Sequence, residues 1–167
     1  ITPEEAAAKA AADKAERDEK KRKLRDRVLL QTYQSVKELE VLRDTDALAT
    51  IHATGQRIQA GLRQLLDAKG LAYNITGHPS MFGIMFTESV ASEYRDWANT
   101  DHELYDAIAV GMHARGAMPE PDSREPWFIC EAHAKGDTVD KVVTIFGQSL
   151  DAALEARARG ELSSTAH

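Results

Sequence analysis

The sequence predicts an α+β domain: a small, mainly antiparallel sheet of three to four strands with helices packed on it, preceded by a long N-terminal helix. Three observations predict this fold. Apolar residues recur at helical spacing in four segments, and short β-type runs lie between some of these segments. Apolar residues larger than alanine are almost missing from the first two dozen positions. At 167 residues, the chain has the size of one ordinary domain.

The N-terminal helix is predicted from capping signals and composition. Residues 2–5 supply a capping threonine, a proline suited to the first helical position and a glutamate three residues after the cap. A Glu-Ala-Ala-Ala-Lys stretch typical of rigid helical spacers follows, and residues 13–27 interleave both charges. We interpret the charged run as a solvated helix face, with a basic binding patch as the alternative. From Leu24 apolar residues return at helical spacing, so one helix is expected to reach about Leu42 and to attach to the following core.

The rest of the chain alternates helices and short strands. Capping residues and glycine stops predict the helix ends, and β-type runs bounded by Gly, Pro and Ser predict the strands. The predicted elements are a helix from Asp44 or Thr45 to Lys69-Gly70, strands at 71–76 and 81–87, a helix from the Thr100–Glu103 capping box to Gly116, a strand at 127–130, and a last helix from Asp137 or Thr138.

Charge and composition narrow the class of partner. The net charge is −6, whereas nucleic-acid binding needs clustered basic residues, so no nucleic-acid partner is expected. No apolar run reaches the roughly 18 residues of a bilayer span, and no signal-peptide pattern starts the chain. We therefore expect no membrane partner and a cytoplasmic location. The single cysteine, Cys130, lies in an apolar run and is predicted to be a buried structural thiol.

Motifs for standard catalytic chemistry are missing, and one loop stands out. The six histidines show no zinc-site spacing, and the chain has no nucleophile elbow, phosphate loop or dinucleotide fingerprint. No metal is therefore predicted. Between Pro119 and Trp127, three prolines stiffen a charged segment that places Arg124 and Glu125 just before a strand. These residues are read either as a plain surface ion pair or as contacts for a substrate carboxylate or amine.

Three segments resemble a known family. Residues 78–87, 101–118 and 121–133, in that order and followed by an apolar helix, resemble the C-terminal domain of class III pyridoxal-phosphate aminotransferases. The branch with glutamate-1-semialdehyde aminomutase is the most similar. The resemblance runs from about Val41 to Leu154. It implies a small sheet with helices on its outer side, a dimeric parent enzyme, and an active site between this domain and a larger one.

The resemblance also implies what these residues do not supply. The family's Schiff-base lysine and the aspartate that pairs with the cofactor ring belong to the larger domain, and no segment here resembles either. No cofactor is therefore expected in this chain alone, although the parent family uses pyridoxal phosphate. Thr32 is similar to a threonine that contacts the cofactor phosphate, but the family's Gly-Asn-Pro is replaced here by residues 34–38. Glu125 resembles a glutamate at the substrate entrance and Arg124 a carboxylate contact, and both would be vestigial.

The leading hypothesis is an isolated or engineered C-terminal domain of an aminotransferase or aminomutase without catalytic activity alone. Residues 1–42 would be a long charged helix, foreign in its first part, that replaces contacts of the missing domain. Residues 43–160 would be the aminotransferase-like domain and residues 161–167 a frayed tail. Two alternatives stay open. The charged helix would dock a protein partner or form a homodimer, or the chain would be one subunit of a split transaminase.

Overall fold

The computed structural model describes residues 3–162, with side chains described for residue 9 and residues 13–162. The chain divides into two compact units, with the boundary between Asp46 and Ala47, and each is described by itself. The predicted cap at Thr2 lies outside the described residues, as does most of the predicted frayed tail, residues 163–167. The predicted attachment of the long helix to the following core therefore stays a prediction.

The first unit is one helix, α1, Pro3–Asp44, which ends two residues beyond the predicted Leu42. Its charged run forms exposed ion pairs one helical turn apart. Lys20 Nζ lies 2.7 Å from the Glu16 carboxylate, and Lys23 Nζ lies 2.9 Å from the Glu19 carboxylate. Pairs of this kind stabilise a helix by about 0.3–0.5 kcal/mol each. The interleaved charges therefore support the helix itself, in line with a solvated face.

The second unit contains a sheet of three antiparallel strands in the order β1-β2-β3, so the predicted α+β fold is confirmed. The strands are β1, Asn74–His78, β2, Met81–Met85, and β3, Trp127–Phe128. β1 starts three residues later than predicted. The apolar residues before it belong to the end of a helix instead: the Leu71 amide bonds to the Leu66 carbonyl, and Gly70 adopts φ +65°.

Four helices accompany the sheet: α2, Ala47–Ala68, α3, Tyr94–Trp97, α4, His102–Ala114, and α5, Thr138–Ala158. The short α3 lies in a segment that the sequence predicts as a loop. The predicted capping box of α4 is wrong, because Asp101 caps the helix by accepting the Leu104 amide at 3.1 Å. The Thr100 hydroxyl instead donates to the Trp97 carbonyl at 2.8 Å. Arg157 of α5 adds a salt bridge to Asp101 at 2.7 Å.

The core lies between one face of the sheet and helices α2, α4 and α5. β2 turns alternate side chains, Phe82 and Ile84, into this core, as a strand with one buried face must. In the second unit the predicted inward positions of the helices are mostly buried or half-buried, although Leu48 of α2 is exposed. Leu66, which the prediction did not include, is fully buried. The buried side chains with the largest share of this core are Ile58, Leu62, Leu66, Phe82, Ile84, Leu104, Ile108, Met112, Phe146 and Leu150.

The prediction of a buried Cys130 is wrong. The Ile129 amide still bonds to the Ser80 carbonyl at 2.9 Å, but the Cys130 amide bonds to His133 Nδ1 at 2.9 Å. The chain thereby leaves the sheet and enters a 3-10 turn, Glu131–Ala134. Cys130 is exposed, because its backbone pairs with a side chain rather than with another strand.

Within residues 3–162, none of the helices has both the length and the apolar content that a bilayer crossing requires.

Candidate functional site

The loop between α4 and β3, residues 115–126, is held by three side chains outside it. His113 Nε2 lies 2.9 Å from the Pro119 carbonyl, and the Tyr105 hydroxyl donates to the Glu120 carbonyl at 2.7 Å. Farther along the loop, Trp97 Nε1 donates to the Ser123 hydroxyl at 2.8 Å. Because α3 and α4 supply these bonds, the loop has a defined position next to the sheet.

Tyr105 links this loop to the core. Its hydroxyl also accepts a hydrogen bond from Trp127 Nε1 at 2.8 Å, and both rings are buried. Burial raises the pKa of Tyr105 to about 12. The phenol therefore stays protonated at neutral pH and can donate to the Glu120 carbonyl while it accepts from Trp127.

Replacing Tyr105 with phenylalanine is expected to lower the free energy of unfolding by about 1–3 kcal/mol, because the buried Trp127 N–H loses its acceptor. Chemical denaturation measures this change. Its pH dependence is a second test. A tyrosine ionises near pH 10 in the unfolded chain, whereas the folded pKa is about 12, so the native protein loses stability as pH rises from about 10 to 12. The Tyr105→Phe variant should lose less over that range, and an equal loss would contradict the assignment.

Arg124 is engaged by neighbours on two sides. Its Nε lies 2.9 Å from the Asp122 carboxylate, which also accepts the Arg124 backbone amide at 2.9 Å. The guanidinium carbon lies 4.5 Å from the centre of the Trp97 ring, a cation–π distance. The hydrogen bond from Arg124 is the main cause that lowers the pKa of Asp122, and the pKa of Arg124 is raised in return. One edge of the guanidinium is thus occupied.

Replacing Arg124 with glutamine is expected to raise the pKa of Asp122 towards the ordinary value of about 3.9, because the main stabilising partner of the carboxylate is removed. Carbon-13 NMR of the Asp122 carboxyl group during acid titration measures this shift. The contribution of the pair to stability is present above pH ~4 and is lost as pH falls through the lowered pKa. Arg95→Gln is a matched control on α3, since Arg95 makes no contact with Asp122. An unchanged Asp122 pKa in Arg124→Gln would contradict the assignment.

Glu125 and Arg124 are neighbours in sequence but do not form the predicted ion pair. Arg124 bonds to Asp122, and the exposed Glu125 carboxylate lies outside salt-bridge distance of it. Sequence reasoning missed Asp122 and Trp97. The Pro-Asp-Ser-Arg string carried a signal for the first, since an aspartate commonly accepts the backbone amide two residues later in a turn. No local pattern relates Trp97 to a residue so far along the chain.

Thr32, the third predicted site residue, belongs to the first unit. It lies in the middle of α1, and its hydroxyl donates to the Val28 carbonyl one turn earlier at 2.9 Å. The expectation that this threonine lies within a helix is confirmed. Its hydroxyl hydrogen is thus donated to the backbone of its own helix.

The residues present do not fit pyridoxal phosphate. The cofactor is held as a Schiff base by a lysine whose pKa is lowered by an apolar or cationic setting. The second unit has three lysines, and all are exposed. Lys69 pairs with Asp151 at 2.6 Å and Lys141 pairs with Asp137 at 2.9 Å, so both amines are engaged by carboxylates.

A cleft of about 600 Å³ opens beside the loop, between the end of α4, β3 and the start of α5. Its size is within the range of small-molecule sites. Trp127 and Ile129 contribute apolar surface, and Arg115 and Lys141 contribute positive charge. Arg124 and Glu125 do not line it, so the structure separates the predicted site residues from this concave surface. Within residues 3–162, no three His, Cys, Asp or Glu side chains gather into a metal site.

Comparisons with known proteins confirm the resemblance read from the sequence. No family model matches the chain. Over 113 residues it is 31% identical to glutamate-1-semialdehyde 2,1-aminomutase of Thermus thermophilus, covering 67% of this chain and 26% of that protein. Over 92 residues it is 34% identical to the enzyme of the same name from Methanothermobacter thermautotrophicus, covering 55% of this chain and 22% of that protein. The chain thus spans about a quarter of the length of these relatives.

Solved structures show the same fold. The FumI protein of Sphingopyxis sp. MTA144, solved in its pyridoxal-phosphate internal aldimine form, is similar over 74% of this chain and 27% of that one, with a TM-score of 0.61 and 24% identity. An omega-transaminase from Sphaerobacter thermophilus is similar over 64% of this chain and 24% of that one, with a TM-score of 0.50 and 19% identity. At these identities the likeness concerns the fold alone.

Proposed function

We propose that these 167 residues are the small C-terminal domain of a pyridoxal-phosphate aminotransferase or aminomutase, and that they do not catalyse amino transfer by themselves. The observation that carries this proposal is the match to about a quarter of each aminomutase relative. Arg124 and Glu125 would lie at the substrate entrance of the whole enzyme. Their place on a rigid loop beside the sheet supports a role in positioning rather than in bond making.

The exposure of the lysines supports the proposal that the chain does not catalyse amino transfer by itself. A Schiff-base lysine has to lose its proton and stay shielded from water, whereas Lys69, Lys135 and Lys141 are exposed in the second unit. The amines of Lys69 and Lys141 also pair with carboxylates. The residues that hold the cofactor would therefore have to come from a larger domain, in the same chain or in a separate one.

The outer face of the sheet offers a surface for such a domain. Met81 and Phe128 lie directly opposite each other on β2 and β3, on the face turned away from the core, and are 47% and 64% exposed. Adjacent exposed apolar side chains favour a protein cover. A separate large-domain chain would make this protein a split-transaminase subunit. Turnover that appears on mixing the two chains would support that form of the proposal.

The composition of α1 supports a foreign origin for its first part. Residues 5–9 have the Glu-Ala-Ala-Ala-Lys sequence of helical spacers, and the ion pairs of Lys20 and Lys23 lie in the favourable orientation with glutamate first. We infer that the first part of α1 is an engineered helix. Deleting residues 1–23 should then leave the second unit folded, as circular dichroism can measure.

Cofactor trapping tests the main proposal. The protein is incubated with pyridoxal phosphate, reduced with borohydride, and digested for mass spectrometry. We expect scattered, substoichiometric labelling of exposed lysines and no stoichiometric visible absorption band. Stoichiometric labelling of one lysine, abolished by changing that lysine to arginine, would refute the claim that the residues in hand cannot hold the cofactor.

A second candidate function is self-association through α1. Among residues 3–46 the structure describes α1 alone, and Val28, Val36 and Leu39, which recur on one side of this helix, are exposed. Light scattering would then give the mass of a dimer. Substituting serine at Val36 and Leu39 should convert the dimer to a monomer, whereas serine at Ala15 in the charged run should not. A monomeric mass for the unmodified protein would exclude this candidate.

A further inference from the structure

Two histidines from separate elements of the second unit face each other. His52 lies on α2 and His78 ends β1. His52 Nδ1 is 3.1 Å from His78 Nε2, and the two ring centres are 4.8 Å apart. Rings joined head-on through these nitrogens would have more widely separated centres. The two rings are therefore tilted, so that both nitrogens point towards a common position beside the line that joins them.

The backbone around the pair is rigid. The turn after β1 approaches α2 so closely that a Cβ on Gly55 would lie 1.9 Å from the Pro79 carbonyl oxygen. His78 also pairs with Met81 at the end of the hairpin. Because His52 precedes Gly55 by one helical turn and His78 precedes Pro79 directly, this contact sets the spacing of the two rings. A site held by packed backbone needs little reorganisation on binding.

The spacing of the nitrogens suits a metal ion. Imidazole nitrogens bind Zn²⁺ at about 2.0–2.1 Å. Two nitrogens 3.1 Å apart at such bond lengths subtend an angle of about 95–102° at a common ion. This angle lies between the right angle of square-planar and octahedral coordination and the tetrahedral angle. His52 is half-buried and His78 exposed, so an ion can reach both rings from solvent.

We propose that His52 and His78 form a two-histidine site for a divalent first-row transition ion such as Zn²⁺, Ni²⁺ or Cu²⁺, with water completing the coordination. Imidazole is a favoured ligand for these ions. In the metal-free pair His78 Nε2 donates its hydrogen to His52 Nδ1, which leaves His78 Nδ1 free to accept the Ser80 amide. When the ion displaces this proton from Nε2, the ring carries it on Nδ1 instead and donates it to the Ser80 hydroxyl, 2.8 Å away. The Ser80 backbone amide, at 3.3 Å, gives up its weaker contact with the same nitrogen.

Copper binding tests the site, because Cu²⁺ binds nitrogen ligands most tightly in the divalent series and reports its ligands by electron paramagnetic resonance. We expect one equivalent of Cu²⁺ by calorimetry and two coupled imidazoles by pulsed resonance. His52→Gln keeps a side chain that can hydrogen-bond to His78 but removes one ligand. It should weaken binding by at least about tenfold and reduce the signal to one imidazole. His113→Gln is the matched control and should bind as the parent does.

The hydrogen bond between His78 Nδ1 and the Ser80 hydroxyl is tested with Ser80→Ala, which should weaken Cu²⁺ binding by about tenfold without changing the number of coupled imidazoles. Circular dichroism and a thermal melt establish that each variant is folded before titration. Cu²⁺ affinity and imidazole count that are unchanged in both His52→Gln and His78→Gln would overturn the proposal, as would no binding to the parent protein. Neither result depends on the proposed enzyme relationship, since the readout is metal binding.

Discussion

Gly55→Ala is expected to lower the free energy of unfolding by about 3 kcal/mol, although glycine to alanine within a helix ordinarily stabilises by about 1 kcal/mol. The new methyl group would lie 1.9 Å from the Pro79 carbonyl oxygen. That oxygen belongs to the backbone of the hairpin turn, so relief requires the turn to move away from α2. Chemical denaturation followed by circular dichroism measures the change.

Gly147→Ala in α5 is the matched control. A methyl group there would lie 3.3 Å from Leu65 Cδ1, the flexible end of a side chain that can yield. The same chemical change should therefore fall within about 1 kcal/mol of the parent. If Gly55→Ala and Gly147→Ala have equal stabilities, the close approach of α2 to the turn is not present in solution.

Phe82→Ala is expected to cost about 3–5 kcal/mol of unfolding free energy, the usual range for removing a buried phenylalanine. Phe82, the second residue of β2, is 0% exposed, and its ring lies 5.6 Å from the Trp127 ring. Removal leaves a cavity between the sheet and the helices. Denaturant titration with fluorescence detection reports both the loss of stability and the changed surroundings of Trp127.

Phe128→Ala is the control variant, because it removes a phenylalanine from the face of the sheet opposite to that of Phe82. Phe128 is next to Trp127 on β3, but its side chain is 64% exposed on the opposite face. Its removal should change stability by no more than about 0.5 kcal/mol. A large loss would mean that the outer face is covered in the protein in solution, for example by another element or another copy.

Helical periodicity predicted most of the fold, because apolar residues at helical spacing mark the face of each helix that is buried in the core. The inward residues Ile58, Leu62 and Phe146 follow from their spacing alone, and they are buried. Strand ends were less accurate for a physical reason. Leu71 and Tyr73 are apolar because they pack at the end of α2, not because they pair in β1. A short apolar run looks the same in the sequence whether it packs after a helix or pairs in a strand.

The candidate site shows the limit of local patterns more clearly. Three prolines predicted a stiff loop, and the loop is indeed held in place by Tyr105 and Trp97. The partner of Arg124 does not follow from the sequence, because both Asp122 and Glu125 lie within reach in sequence and backbone geometry decides between them. The facing pair of His52 and His78 is separated by 26 positions. No spacing rule connects such residues, so only the packing of α2 on the hairpin turn reveals the pair.

Turnover by the unaided chain tests the central claim most directly. Purified protein is supplied with pyridoxal phosphate, an amine donor and a carbonyl acceptor, and product formation is compared with that of free cofactor. We predict a rate no higher than that of the free cofactor, because all nine lysines of the chain are exposed to water. A protein-dependent rate that disappears when one lysine is changed to arginine would contradict the account.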